Sequence, residues 1–175
     1  MLFMDEKTAR KIYIPLSLLV LVAAISGCRT VSDYNPFAEI GSFESVVIED
    51  FEGPGTAGFE FSERVARSVQ STGLFSQILR EEPLGEALRI RGKITRYSRG
   101  NPAMRLRYGH NIGNARFSAV VQIEDFATGD FVASFSLSET YDTTRDRERV
   151  HQDLDTLVER AAVQLAEKLT ELTGG

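Results

Sequence analysis

The residues able to make or break covalent bonds are few: one cysteine, Cys28, and two histidines, His110 and His151. Ile25, Ser26 and Gly27 stand directly before Cys28. A branched apolar residue followed by two small ones lets a peptidase hold the backbone extended beside the bond that precedes the thiol. A lone thiol can form no disulfide within its own chain and cannot build a cysteine zinc site. His110 lies in the run Gly109–Gly113 and His151 at the start of the last apolar stripe, too far apart in sequence and without ligand-spaced partners to read as a metal site. No serine stands in a nucleophile elbow. Gly109-x-x-x-Gly113 is not followed by Lys-Ser/Thr, so it is no phosphate loop. The pairs Glu49-Asp50, Glu81-Glu82 and Glu124-Asp125 are adjacent, and neighbours on a strand point to opposite faces, so none forms a catalytic dyad. No catalytic residue, metal or cofactor is expected, and the chain does not read as an enzyme.

Charge offers a different kind of site. Between Glu86 and Glu124 there is no acid, but there are Arg89, Arg91, Lys93, Arg96, Arg99, Arg105, Arg107 and Arg116. Arg89, Arg91 and Lys93 alternate with Leu88, Ile90, Gly92 and Ile94, which places the three cations on one polar strand face. They are the candidate surface for an anionic partner: lipid headgroups, lipopolysaccharide phosphates, a glycan, or an acidic protein. The plainer alternative is a solvated face balanced across strands by acids such as Glu124 and Glu139. The chain as a whole carries a net charge of −5, which argues against nucleic-acid binding.

The elements that must position these residues begin with the N-terminus. Lys7, Arg10 and Lys11 form a positive start, diluted by Asp5 and Glu6, and the uncharged run 12–25 follows. As a helix that run spans about 21 Å, short of the ~30 Å hydrocarbon core, so it fits a cleaved export signal better than a membrane span. Ile25-Ser26-Gly27-Cys28 resembles the lipobox of bacterial lipoproteins. The resemblance implies a diacylglyceryl group on the Cys28 sulfur, cleavage before Cys28 and acylation of the new amine. It implies an export signal over 1–27 and a membrane attachment in the bacterial cell envelope. Arg29, where an aspartate would favour the inner membrane, leans toward the outer membrane, facing the periplasm. Residues 28–42 show no sustained period and read as a lipidated tether with a reach of about 20 Å.

The folded domain is read as 43–175. Val46–Ile48 is β-branched and apolar, as in a buried strand, and Gly53-Pro54-Gly55 follows it. Phe61, Val65, Ala66 and Val69 repeat at helical spacing, with Gly73 as the stop. A short strand is expected near Ile78-Leu79, and a half-buried one over Leu88–Ile94 with Gly92 as a bulge or close-packing point. The alternating runs Ala115–Ile123 and Phe131–Leu137 form a hairpin across Ala127-Thr128-Gly129-Asp130. Val150, Leu154, Leu157, Val158, Ala161, Leu165, Leu169 and Leu172 make one helical stripe, with Thr143 or Thr144 to cap its start and Gly174 its end. The order β-α-β-β-β-β-α predicts an α+β fold: one mostly antiparallel sheet of about five strands with two helices on one face.

Leu88, Ile90, Gly92, Ile94 and Tyr97, then Gly109 and Gly113, then Ala115, Asp125, Thr128 and Gly129 resemble the pattern of a bacterial lipoprotein family of unknown function. In plan the domain is also similar to the curli-secretion lipoprotein and to the lipoprotein activators of penicillin-binding proteins. The expected role is a membrane-anchored interaction or assembly module. The alternative is a carrier or sensor that binds a small or lipidic ligand between sheet and helices.

Overall fold

The computed structural model describes residues 32–35, 40–108, 113–141 and 154–173. The signal and lipobox segments, His110, Thr143, Thr144, Val150, His151 and Gly174 lie outside them. Six strands form one sheet: β1 (Ser32–Tyr34), β2 (Ser45–Ile48), β3 (Gln77–Leu79), β4 (Leu88–Ser98), β5 (Arg116–Asp125) and β6 (Phe131–Thr140). Three α-helices accompany them: α1 (Ala57–Thr72), α2 (Pro102–Tyr108) and α3 (Leu154–Leu172).

The strand order is β1-β6-β5-β4-β2-β3. β2 runs parallel to both β3 and β4, and every other pairing is antiparallel. The sheet is therefore mixed, with six described strands and three of its five pairings antiparallel, close to the mostly antiparallel sheet of about five strands expected. The parallel part follows from α1, a crossover that returns the chain in the direction of β2. The extra strand, β1, lies inside the segment read as a tether. Three residues are too few to show a period, and they pair with β6 at the edge of the sheet.

Alternation decides the faces of the long strands. Leu88, Ile90 and Ile94 of β4, Phe117, Ala119, Val121 and Ile123 of β5, and Ala133, Phe135 and Leu137 of β6 are buried on one side. α1 and α3 cover that side, meeting it with Phe61, Val65 and Val69 and with Leu154, Leu157, Val158, Ala161, Leu165 and Leu169. The rings of Phe51 and Phe117 each lie 4.8 Å from that of Phe61, so the space between sheet and α1 is filled by aromatic packing. Gly92 is the close-packing point: a Cβ there would meet the Val120 carbonyl at 2.2 Å and the Phe51 ring at 2.6 Å. The β-bulge falls later, between Ile94 and Arg96. α1 ends at Gly73 with φ 68°, the left-handed stop that glycine adopts without strain. The β5–β6 turn is closed by the Asp125 carboxylate, which accepts from the Ala127 and Thr128 amides at 2.8 and 3.3 Å.

Candidate functional site

The second face of the sheet is where the sequence put its cations. Register places Arg89 opposite Glu124, Arg91 opposite Gln122 and Lys93 opposite Val120. The three side chains do share that face, and each is paired. Arg89 lies 3.2 Å from Glu49 and 3.7 Å from Glu124, Arg91 donates to Glu124 at 2.6 Å, and Lys93 lies 3.0 Å from Glu52. Arg89 also stacks over the Phe126 ring at 4.3 Å. Glu124 is the hub, its side chain only 13% exposed between two guanidinium groups. Its alternation with Gln122 and Val120 was legible, but Glu49 and Glu52 come from the segment that follows β2, a parallel neighbour that sequence spacing does not reveal. A groove of about 570 Å³ runs along this ladder, lined by Glu49, Asp50, Glu52, Arg91 and Lys93 among others. Its two signs of charge nearly cancel.

Beyond the bulge the face changes character. Arg96 stands opposite Ser118, and Arg116 opposite Ser98 and Thr140. Among the described residues no carboxylate lies within ion-pairing distance of Arg96, Arg99, Arg107 or Arg116. Arg96 and Arg116 sit diagonally on one face and line a cleft of about 390 Å³ with Ser98, Asn101 and Asn114. The loop around it is tight. The Asn101 amide donates to the Gly113 carbonyl at 2.8 Å, and the Asn101 side chain accepts from the Met104 amide at 3.2 Å to start α2. Gly100, at φ 67°, lies so near that a Cβ would meet the Gly113 carbonyl at 2.2 Å. From this loop α2 presents Met104 and Tyr108, 39% and 52% exposed, with the Arg107 guanidinium 5.4 Å from the Tyr108 ring. The acid-free block was visible in sequence. What was not visible is that pairing neutralises its first half and spares its second.

A further polar cluster, unseen in the sequence, is a clasp. The Arg80 guanidinium donates to the Ile48 carbonyl at 2.7 Å and to the Ser62 hydroxyl at 2.8 Å, and it bonds the Asp50 carboxylate. Ser62 is fully buried, and its hydroxyl lies 2.8 Å from the Phe59 carbonyl and 3.1 Å from the Asp50 carboxylate, either of which can accept its one proton. These contacts tie the end of β2 to α1 and to the chain after β3. The carboxylate beside the serine, Asp50, is itself bound to Arg80, and the cluster positions backbone. Elsewhere Glu139 is half-buried with its carboxyl raised above the usual range by burial, an effect opposed by Arg160 at 3.6 Å. Burial, with Glu60 and Asp155 nearby, raises the Tyr97 phenol. Among the described residues no three His, Cys, Asp or Glu side chains are grouped to hold a metal ion, and no helix is long and apolar enough to cross a membrane.

The family model described as a domain of unknown function (DUF4410) matches residues 53–144. It spans α1 through β6, and so includes the strand, glycine loop and turn residues on which the resemblance to a lipoprotein family of unknown function rested. No curated protein sequence matches the chain. Among solved structures, a PelC dodecamer from Paraburkholderia phytofirmans is similar at 12% identity and a TM-score of 0.55, over 80% of this chain and 95% of that one. A DUF330 protein from Xanthomonas campestris is similar at 13% identity and a TM-score of 0.52, over 83% and 93%. A structure from Caulobacter crescentus described as that of a lipoprotein shares 21% identity over 78% and 90%, with a TM-score of 0.43. The first two likenesses, at these identities, show the fold alone.

Proposed function

The chain belongs to the DUF4410 family, and from that premise we propose that it is a lipoprotein of the bacterial envelope, anchored through Cys28, whose domain works by binding rather than by catalysis. The observation that carries the binding reading is the second sheet face. β4, β5 and β6 expose a broad polar surface there, with no described helix over it, while the opposite face is filled by α1 and α3. That surface offers an interaction or assembly module a flat contact area without a reacting group. Use of the same fold in the PelC dodecamer supports assembly as one outlet for such a face. The lipobox residues Ile25, Ser26 and Gly27 support processing at Cys28, and Arg29 supports an outer-membrane address facing the periplasm. Paired acids and bases on the face favour a protein or an anionic envelope component that can exchange those pairs for its own.

Two measurements test this reading. Cys28→Ser is expected to accumulate as a full-length precursor that no longer fractionates with the outer membrane, since stable anchoring takes more than one acyl chain. Normal processing and fractionation of Cys28→Ser would overturn the anchor. Crosslinking of the lipidated wild-type protein in its native envelope is expected to give a defined adduct, either with itself or with one envelope component. A protein that remains uncrosslinked across its second sheet face would overturn the binding role.

A further inference from the structure

The register of β1 limits how far the domain can stand from a membrane that holds Cys28. Ser32 stands opposite Phe135 and Tyr34 opposite Ala133, so the chain enters β1 from the end of β6 that holds Thr140. Thr140 is opposite Arg116, and Arg116 is opposite Ser98, so β1 is entered from the side of the sheet that carries Arg96 and Arg116, although Ser32 itself is level with Val121 and Gly92 in mid-sheet. Cys28 precedes Ser32 by four residues, which extended span no more than about 14 Å. An acyl chain on Cys28 therefore stands within that distance of Ser32, which keeps this end of the sheet within reach of a bilayer. The tether read in the sequence would have allowed any orientation, and β1 shortens it to a leash.

We propose that this end of the sheet is a docking surface for an anionic phospholipid bilayer, with Arg96, Arg99, Arg107 and Arg116 facing headgroup phosphates and Met104 and Tyr108 entering the interface between them. The proposal rests on the Cys28 anchor. It goes beyond that anchor by fixing the pose of the domain, and it moves the anionic contact from Arg89, Arg91 and Lys93 to the arginines that lack an acid. Arg96 and Arg116 occupy diagonal positions on one face, roughly 7–8 Å apart, where like charges repel until an anion sits between them. A row of phosphates meets that need, and guanidinium groups pair with phosphate bidentately. Exposed Met104 and Tyr108 beside Arg107 reproduce the mixture of cations and amphipathic side chains found at bilayer interfaces. Among the described residues, Glu60 and Asp155 act on Tyr97, on the face opposite Arg96 and Arg116. Asp33 is opposite Ser134, further along β6, and Asp130 lies at the other end of the sheet beyond Phe131. Glu139 sits on the helix-covered side against Arg160.

The test uses the full lipidated protein in vesicles, with a fluorophore on an introduced thiol. Ala103→Cys places the probe on α2, and Ala127→Cys places it in the β5–β6 turn at the far end. Acylation blocks Cys28, so labelling of the unsubstituted protein reports on the anchor separately. Headgroup quenchers in vesicles of phosphatidylethanolamine with phosphatidylglycerol are expected to quench the probe at 103 strongly and that at 127 weakly. Quenching at 103 is expected to fall in pure phosphatidylcholine and at high salt. Each basic side chain at such a surface is worth roughly a fivefold gain in local partitioning, so Arg96→Gln with Arg116→Gln should reduce the membrane-apposed population by about tenfold or more. Labelling of Cys28 in the unsubstituted protein would overturn the anchor and, with it, the pose. With Cys28 blocked, equal quenching at 103 and 127, or quenching indifferent to lipid charge and to the two glutamines, would overturn the docking surface and leave the anchor standing. Displacement of the probe from the membrane by a captured protein would assign the face to that protein instead.

Discussion

Replacing Arg89, Arg91 and Lys93 together by glutamine separates a binding role from a structural one, because the structure assigns each cation a different partner. Lys93 and Glu52 are both largely exposed, with side chains 66% and 73% accessible, and such a pair contributes about 0–0.5 kcal/mol. Arg89 adds a stack on Phe126 worth about 0.5–1 kcal/mol. Glu124 dominates. With both guanidinium partners gone, a carboxylate 13% exposed keeps its charge without the groups that compensated its burial, at a cost of about 1–3 kcal/mol. Glutamine amides recover part of that by donating hydrogen bonds. The triple variant should therefore lose roughly 2–4 kcal/mol, mostly through Glu124. Adding Glu124→Gln as a fourth change should return about 1–2 kcal/mol, since a neutral amide no longer needs a cation. The assay is urea denaturation followed by circular dichroism, with the slope unchanged and the midpoint shifted. A triple variant within about 0.5 kcal/mol of wild type, or a fourth change that destabilises further, would refute the hub role of Glu124.

Three other outcomes follow from the geometry. Gly92→Ala forces a methyl against the Val120 carbonyl and the Phe51 ring, and should cost about 1–3 kcal/mol in the same denaturation assay, with backbone rather than a mobile side chain in the way. Leu157→Asp places a charge at a fully buried point of α3 and should cost about 3–5 kcal/mol, read as a lowered midpoint or as loss of the cooperative transition. Glu139 has a folded-state pKa raised by burial, so the folded chain keeps a proton where the unfolded chain has released it, and its contribution to stability falls as pH rises through the folded value. Glu139→Gln should therefore gain on wild type between about pH 4 and pH 7, and a widening wild-type advantage over that range would show that Arg160 outweighs burial.

Periodicity carried the long elements. β4, β5, β6, α1 and α3 all lie where apolar residues recur at two or near 3.6, because each buries one face along its whole length and the pattern has room to repeat. β1 and α2 have three and seven residues, too few for a period to repeat. The sheet's parallel part was hidden for a different reason. Nothing in Val46–Ile48 or Gln77–Leu79 states a direction, and only the crossover through α1 sets it. That one unstated fact also hid the site. Alternation put Arg89, Arg91 and Lys93 on a common face, and the hairpin put Glu124 across from Arg89. The parallel placement of β2 then brought Glu49 and Glu52 to Arg89 and Lys93, so charges written forty residues apart cancel. No such strand lies beside Arg96 and Arg116, where β4 has passed the end of β2 and the bulge has turned its outward positions by one residue. Where β2 stops thus divides the block: before Arg96 each cation has an acid, and past it Arg96 and Arg116 have no carboxylate within ion-pairing distance among the described residues.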